Sequence, residues 1–433
     1  MKYDSYYLGE LVSFTKGCAF KTSVFKKSGI PIIKVGNLNS GLDKIGEWVY
    51  LDENEYDNYK KYVVMENDAI ISTVGSWPTN PASVVGKCCI IPKKNAGNLL
   101  NQNSVIIRTN SEKLLQKYLD YLLLDKKFNN YIVGCAQGSA SQASITLKDI
   151  SKYKVDIPPI DYQKKIIYIL ENIDYKIEKN NEISDSLQEL IKLIFDKWFV
   201  KYDYPNFNRK YVESNLGEIP ENWKTGKLSD IVDFINGYGF NAKTMIDHYE
   251  PDTYKVFKQA SIKIGGGFYK DKTKSWCKKS NCTGLDKFVS KKGDVLMCMT
   301  DMKASLNPLL GHTALMDVDN EYIINQRVGI LRAKSETTDY PFIYTLSNSS
   351  NFINRLRSRA NSGVQVNLST QGICDTEIVI PDEKTMKIFN NIASNMYEKI
   401  FSLTKQNNSL DALKGILLPR LLSGEIDLKG IRT

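Results

Sequence analysis

A long heptad pattern in the middle of the chain limits the folds available to it. Apolar or small polar side chains recur at alternating steps of four and three residues: Ile166, Leu170, Ile173, Ile177, Asn180, Ser184, Leu187, Ile191, Ile194 and Trp198. This spacing predicts one helix over 161–199 with a narrow apolar seam, which is typical of a coiled coil. From Ile166 to Trp198 such a helix spans roughly 50 Å. Because an isolated helix of this kind is only marginally stable in water, the seam needs a partner.

The same seam recurs 223 residues later in the chain. Its positions there are Phe389, Ala393, Met396, Ile400, Leu403, Asn407, Leu410, Lys414, Leu417 and Leu421. A single amphipathic helix is usually an ordinary core-facing helix, but the duplicate disfavours that alternative. Since each helix leaves its own repeat in the same sense, we predict an antiparallel coiled coil with a pseudo-two-fold axis. The polar seam residues near the middle are expected to set its register.

The duplication also includes the sequence that precedes each helix. Segments 8–17, 33–38, 67–71, 101–102 and 155–158 align in order with 228–237, 257–262, 293–297, 325–326 and 378–381. Repeats of this size are domains rather than solenoid units. We therefore predict a first domain at 1–160, a long helix at 161–200, a linker at 201–223, a second domain at 224–382, and a long helix with a tail at 383–433.

Within each repeat, short β-rich runs are separated by turns rich in Gly, Asn and Ser. The predicted strands are 31–35, 69–73, 88–91 and 104–108 in the first repeat, and 295–300 and 328–332 in the second. One helix is predicted at 112–130 and its counterpart at 339–357. The predicted fold class is α+β: two duplicated domains of mixed, mainly antiparallel β-structure with helices, separated by two long helices that form an antiparallel coiled coil.

Composition restricts the location and chemistry of the protein. The net charge of +9, from 58 basic and 49 acidic residues, weakly favours a polyanionic partner. No leader or bilayer-length apolar run is found, so a cytoplasmic location is expected. The eight cysteines include no CxxC pair and only two histidines accompany them. We expect reduced thiols and no bound metal.

The sequence contains no complete catalytic motif. The chain has no GxxxxGK[ST] phosphate loop, and 237–239 and 265–267 lack the remainder of a dinucleotide or S-adenosylmethionine loop. Segment 156–160 resembles an amino-methyltransferase tetrapeptide only if one residue is skipped, and a strand-to-helix boundary explains it better. The acidic segments 381–384 and 427–429 suggest a nuclease, but the first repeat has no matching carboxylate pair. We expect a non-catalytic chain.

Polar loops that recur in both repeats are the better candidates for function. Segment 136–142 corresponds to 359–367, and 75–77 corresponds to 300–303. Gln and Asn side chains match the adenine edge in the major groove, Arg matches guanine, and small residues let backbone N–H groups approach phosphates. The predicted DNA-binding residues are Asn37, Ser76, Lys87, Gln102, Gln137, Ser139, Gln142, Lys258, Gln259, Thr300, Lys303, Gln326, Arg327, Arg359, Asn361, Ser362 and Gln365. Arg355 and Arg357 are further candidates, with a solvated charged face as the alternative for each cation.

Three stretches together resemble the specificity subunit of type I restriction–modification systems. The first is Leu216-Gly217-Glu218-Ile219-Pro220-Glu221-Asn222-Trp223, which opens the second repeat. The second is the boundary before each long helix, Val155-Asp156-Ile157-Pro158 and Ile378-Val379-Ile380-Pro381. The third is Leu417-Leu418-Pro419-Arg420-Leu421-Leu422-Ser423-Gly424-Glu425-Ile426 near the end. The resemblance covers essentially the whole chain.

The resemblance implies two target-recognition domains that each read one half of a split DNA sequence. The helices would act as a ruler and dock two modification subunits, with S-adenosylmethionine, ATP and Mg on partner subunits and none of them on this chain. Restriction subunits are a further possible partner, and no membrane partner is expected. The alternatives are a related methylation–restriction system without ATP-driven cleavage, a solitary methyltransferase, which the missing motifs disfavour, and a coiled-coil scaffold that binds no DNA.

Overall fold

A computed structural model describes residues 3–38, 42, 48–77, 83–139, 142–270, 272, 274–302, 308–361 and 365–431. The chain divides into two compact units. The first unit comprises Met1–Glu178 and Gln406–Thr433, and the second unit comprises Lys179–Lys405. Both divisions fall inside long helices, so each unit contains part of each helix.

The first unit is built on a four-stranded antiparallel sheet, here called its central sheet. In spatial order its strands are Val12–Lys16, Ser104–Thr109, Ala69–Ser72 and Cys88–Ile90. Both faces of this sheet are buried. Ile71 and Ile107 pack into the core that contains the helices, whereas Ile70 and Ile106 pack into a smaller core on the other face. Burial on both faces explains why the two inner strands, Ala69–Ser72 and Ser104–Thr109, carry consecutive apolar residues rather than alternating ones.

The remaining strands of the first unit are short. They are Asp4–Tyr7, Ile30–Ile33, Val49–Leu51, Val74–Gly75, Leu99–Leu100, Gln137–Ser139, Gln142–Ser144 and Lys154–Ile157. Its shorter α-helices are Val35–Leu38, Gln116–Leu124, Lys126–Gly134 and Leu147–Ser151. Ile30–Ile33 lies between Val49–Leu51 and Leu99–Leu100 and pairs parallel with the latter.

The second unit repeats this plan. Its central sheet has the order Val232–Asn236, Val328–Ala333, Val295–Cys298 and Thr313–Leu315. Its other strands are Tyr211–Val212, Ile219–Pro220, Lys224–Lys227, Met245–Ile246, Thr253–Phe257, Trp276–Lys278, Thr300–Met302, Tyr322–Ile324, Gln365–Asn367 and Glu377–Ile380. Among the described strands only two pairings are parallel, one in each unit. The prediction of mixed, mainly antiparallel α+β domains is confirmed.

Each helix predicted after the central sheet is in fact two helices. The prediction of one helix at 112–130 is wrong, because Asp125 adopts an extended backbone (φ −67°, ψ 141°) between Gln116–Leu124 and Lys126–Gly134. In the second unit Tyr340–Ser347 and Ser350–Arg357 are separated in the same way. There the Ser349 hydroxyl caps the second helix by accepting a hydrogen bond from the Phe352 N–H. The remaining short helix of this unit is Thr370–Cys374.

The two long helices are Ile160–Phe195, followed by the π-helical turn Asp196–Val200, and Glu383–Leu422. In the first unit they run antiparallel: Asp174 pairs with Lys414, and the Lys165 ammonium donates to the carbonyl of Leu428, just past the end of the second helix. Ile166 and Leu421 belong to one core there. In the second unit the Trp198 and Phe389 rings lie 6.3 Å apart.

Burial along the seam varies with position. The buried predicted seam residues are Ile166, Leu170, Ile173, Ile191, Trp198, Phe389, Ile400, Leu403 and Leu421. The half-buried ones are Ile177, Leu187, Ile194, Met396, Leu410 and Leu417. None is exposed, so one stripe of each helix is covered throughout. In the part of the chain that the structure describes, no helix is both long and apolar enough to cross a bilayer.

The stretch predicted as a linker, 201–223, is tied to the second unit. The Tyr204 and Trp223 rings stack 5.0 Å apart, and the Trp223 indole N–H donates to the Asp382 carboxylate (3.0 Å). Trp223 is only 5 % exposed and belongs to the main core of the unit. Packing of this kind holds the chain at the entry to the second repeat.

Candidate nucleic-acid interface

In the first unit a tight turn lies at one end of the central sheet, just before the strand Ser104–Thr109. This turn, 101–103, is held against the loop that follows Val12–Lys16: the Gln102 N–H donates to the Cys18 carbonyl (2.7 Å). Asn103 has a positive φ of 68°, which asparagine tolerates better than most residues. The exposed Gln102 side chain therefore stands on a fixed backbone. We call residues 17–20, 34 and 101–103 the first turn site.

Gly17 is required for the close approach within this site. A Cβ atom at Gly17 would lie 1.9 Å from the Asn101 carbonyl oxygen, far inside van der Waals contact. Only glycine lets the two backbone segments meet at this distance.

The second unit contains an equivalent turn site, formed by residues 237–240, 258 and 325–327. The Gln326 N–H donates to the Tyr238 carbonyl (2.8 Å), and a Cβ at Gly237 would lie 2.2 Å from the Asn325 carbonyl oxygen. Arg327 takes the position of Asn103 with a φ of 73°. Both Gln326 and Arg327 are exposed. The duplication in sequence thus reproduces the local backbone bond by bond.

A single residue in each unit joins the turn site to a second group of polar residues. In the first unit the Thr73 N–H donates to the Asn103 carbonyl (2.8 Å), and the Thr73 carbonyl accepts from the Ile145 N–H (2.9 Å). Met299 makes the same two bonds to Arg327 and Leu368 in the second unit, each at 2.9 Å. Both groups of candidate residues therefore lie at the same end of the central sheet.

The second group is formed by paired strands, not by the loops that the sequence predicted. In the first unit Gln142–Ser144 pairs with both Gln137–Ser139 and Val74–Gly75. In the second unit Thr300–Met302 pairs with Gln365–Asn367. The antiparallel ladder satisfies the backbone groups of these strands and leaves their polar side chains for other partners. We call these the first and second polar ladders.

The predicted DNA-binding side chains differ in exposure. The exposed ones are Gln102, Gln137, Gln142, Gln326, Arg327, Arg359 and Asn361. The half-buried ones are Ser76, Lys87, Lys258, Gln259 and Gln365. Ser139 belongs to a strand of the first polar ladder, and Lys303 and Ser362 lie outside the described residues. Their contacts with DNA remain predictions.

Two of the predicted contacts are placed inside the protein instead. Asn37 is 3 % exposed, and its side-chain oxygen accepts from the Lys34 N–H (2.8 Å). Thr300 is 6 % exposed and donates its hydroxyl proton to the Asn367 side-chain oxygen (2.8 Å). Neither side chain faces solvent, so each shapes its backbone segment rather than contacting a ligand directly.

Hydrogen bonds and burial distinguish the three candidate arginines of the segment 355–359. The Arg357 guanidinium donates to the carbonyls of Leu310 (3.0 Å) and Pro308 (2.8 Å), which fixes it as a brace within the second unit. Burial lowers the pKa of Arg355 and of Arg357 from the usual value. Arg359, which is exposed, is the arginine of this group that is free to meet a phosphate or a guanine edge.

Lys34 is a site residue that the sequence reasoning missed. The Asn101 N–H donates to the Ile33 carbonyl, and the Asn325 N–H donates to the Phe257 carbonyl, so Lys34 and Lys258 flank equivalent turns. The Lys258 ammonium donates to the Ser275 hydroxyl (2.7 Å). The repeat alignment of 33–38 with 257–262 was the signal that could have identified Lys34.

A basic stretch in the second unit was missed as well. Residues 263–274 carry four lysines and one acidic residue, and aromatic residues stand between them.

In the first unit Lys87 is half-buried, and this burial lowers the pKa of its ammonium group. Among the described residues no cluster of His, Cys, Asp or Glu could hold a metal ion. The exposed amides of the two turn sites and of the first polar ladder, together with the exposed Arg327 of the second turn site, are suited to hydrogen bonding with base edges and phosphates.

Comparisons with known proteins match both repeats to one family. The family model for the type I restriction modification DNA specificity domain matches residues 2–189 and again 220–411. The chain is 24% identical over 380 residues to the type I restriction enzyme MjaVIII specificity subunit of Methanocaldococcus jannaschii, covering 86% of this chain and 82% of that one. It is 21% identical to the HindI specificity subunit of Haemophilus influenzae, covering 74% and 80% of the two chains.

A solved structure shows the same fold. The S subunit of a type I restriction-modification system from M. genitalium superposes with a TM-score of 0.54 at 13% identity, covering 97% of this chain and 96% of the other. The family model accounts for both repeats, and together its two matches cover most of the sequence. The chain therefore belongs to the type I restriction–modification DNA specificity family.

Proposed function

We propose that this specificity subunit reads a bipartite DNA sequence, with one half-site recognised by each unit. The observation that carries the proposal is the duplicated site. In each unit a turn presents an exposed glutamine, a glycine allows the close backbone approach that fixes this turn, and one residue joins the turn to a polar ladder. The two sites share a backbone but differ in side chains, with Asn103 in one and Arg327 in the other. A common frame with different side chains suits two half-sites of different sequence.

The chemistry at these sites supports binding rather than catalysis. Glutamine, asparagine and arginine side chains stand exposed on rigid backbone, as direct readout of base edges requires. We infer that the chain acts in the cytoplasm as a non-catalytic subunit. S-adenosylmethionine, ATP and Mg would then be held by partner subunits.

The long helices are proposed to dock two modification subunits and to set the spacing of the half-sites. In each helix the seam faces protein, and an exposed apolar pair lies outside the seam at equivalent repeat positions. Leu190 and Leu193 are 43% and 58% exposed, and Leu413 and Ile416, 223 residues later, are also 43% and 58% exposed. Equal apolar surface at equivalent positions is what two copies of one partner would need.

Methylome sequencing tests the proposal. A host would express this chain with the neighbouring modification subunit, and N6-methyladenine would be mapped with and without the chain. The proposal expects a split motif, methylated in both halves, that disappears when the chain is deleted. A motif that is contiguous, or one that persists without the chain, would contradict it.

A further inference from the structure

The two units differ sharply in charge at one equivalent segment. Residues 263–274 of the second unit, here called the lysine arm, contain Lys263, Lys270, Lys272 and Lys274 against one acidic residue. The aligned residues of the first repeat, 39–50, contain one lysine and two acidic residues. The sequence duplication therefore preserved the frame of the two domains but not the charge of this segment.

Three of the lysines in the arm have no carboxylate partner among the described residues. Lys270 pairs with Asp317, which is nearly buried, at 2.7 Å. Lys263, Lys272 and Lys274 form no ion pair with any carboxylate in the described ranges. The Lys263 and Lys272 ammonium groups instead lie over the Tyr269 ring, 4.8 and 5.8 Å from its centroid. A cation held over an aromatic ring keeps its charge available to an outside anion.

The arm is held in place over residues 263–270. Phe268 packs on Phe257 with ring centroids 5.6 Å apart, and Ile262 forms a β-bridge with Phe268. The Gly265 N–H donates to the His312 imidazole (3.2 Å). Because the segment is anchored before any ligand binds, its cations can meet a polyanion with a smaller loss of conformational entropy.

The arm also begins beside the second turn site. Lys258 belongs to that site, and the short 3₁₀ turn Gln259–Ser261 leads from it directly into the arm. The Phe257 carbonyl, next to Lys258, accepts from the Asn325 N–H (3.0 Å). A duplex that meets the second turn site therefore passes close to the start of the arm.

We propose that the lysine arm binds the phosphate backbone of the DNA next to the half-site of the second unit, a contact that the first unit lacks. The proposal rests on the proposed function, since it assigns an electrostatic role within the same DNA-binding surface. Phosphate contacts position a protein on DNA but carry no sequence information. The arm accordingly strengthens binding without changing the recognised motif.

The test measures the salt dependence of DNA binding by the chain assembled with its modification subunit. The variant Lys263→Gln/Lys272→Gln/Lys274→Gln is compared with Lys148→Gln/Lys152→Gln/Lys154→Gln. The control lysines are exposed, lose the same charge, and lie around Leu147–Ser151 and Lys154–Ile157 in the first unit. A labelled duplex of mixed sequence is the probe, and the dissociation constant is measured over a range of NaCl concentrations.

Each lost phosphate contact lowers the slope of log K against log salt by about 0.9, so the arm variant should lose about 2 to 3 in slope. The control should keep the wild-type slope, and both variants should keep the wild-type methylation motif. If the complex binds the duplex but the arm variant has the slope of the control, the arm proposal is overturned alone. A wild-type complex that binds no duplex overturns the proposed function together with the arm.

Discussion

Replacing Asp294 by asparagine should unfold the central sheet of the second unit more readily. The Asp294 carboxylate accepts two hydrogen bonds from the Arg332 guanidinium, at 2.7 and 2.9 Å, and a third from the Lys291 N–H at 2.8 Å. The Asp294 side chain is 3% exposed and the Arg332 side chain 19%. The pair joins the strand Val328–Ala333 to the turn before Val295–Cys298.

The size of the destabilisation follows from the groups that the substitution leaves without a matching partner. The introduced side-chain amide can keep one acceptor oxygen, but its NH₂ group faces a guanidinium donor, and the arginine charge loses its counter-ion. Breaking one partner of a buried ion pair costs about 3–5 kcal/mol. Because the retained oxygen offsets part of this loss, we expect about 3 kcal/mol, which raises the open population of the sheet by about a hundredfold.

Hydrogen exchange with mass spectrometry measures this effect peptide by peptide, which suits a chain of two units better than one unfolding transition. Exchange in Val328–Ala333 should accelerate in Asp294→Asn and stay unchanged in Asp233→Asn. Asp233 lies 3.9 Å from Lys334 in an exposed pair, and such pairs contribute below about 1 kcal/mol. Equal exchange in the two variants would refute the reasoning.

Three further predictions concern the turn sites, a buried acid and the long helices. Gly237→Ala should distort the second turn site, because overpacking against the backbone costs about 1–3 kcal/mol. In a methylation assay this variant should methylate its motif less well, with the loss confined to recognition of one half-site. The control Gly415→Ala, whose Cβ meets nothing within 4 Å, should methylate the motif as the wild type does. Burial raises the pKa of Asp120 from 3.8 to about 7, so the folded state holds a proton that the unfolded state releases, and the stability of the wild type falls as the pH rises from about 4 to 7. In denaturant melts of the first unit, the gain in stability of Asp120→Asn over the wild type should therefore grow over that pH range and then level off. A gain that does not change with pH would contradict this. Removing one heptad from each long helix shortens that helix by about 10 Å. This should change the spacer length of the methylated motif without changing either half-site. An unaltered spacer would contradict the proposal that the helices set the spacing.

Much of the fold could be predicted because burial leaves a periodic record in the sequence. The seam from Ile166 to Trp198 predicted a long helix that the structure places at Ile160–Phe195 and the following π turn. The strand predicted at 104–108 is Ser104–Thr109, because burial on both faces requires consecutive apolar residues, here Val105 to Ile107. Duplication added strength to each prediction, because two copies of one weak pattern are rarely coincidental.

The polar parts of the candidate site were harder to predict for a physical reason. The ladders of Gln142–Ser144 and Gln365–Asn367 are short and polar, so no alternation of apolar residues marks them as strands. They pair with strands that are distant in the sequence, Val74–Gly75 and Thr300–Met302. The burial of Asn37 likewise follows from a local side-chain bond to the Lys34 N–H that composition does not reveal.

Methylome sequencing of two site variants tests the duplicated-site account most directly. One variant carries Gln102→Ala and Asn103→Gly in the first turn site, and the other carries Gln326→Ala and Arg327→Gly in the second; glycine at 103 and 327 retains the positive φ that each position requires. The account predicts that each variant loses or relaxes the base preference of one half of the split motif, a different half in each case. If both variants altered the same half, the assignment of one half-site to each unit would be wrong. If neither variant altered the motif while the complex still assembled, the turn sites would not be the base-reading surfaces.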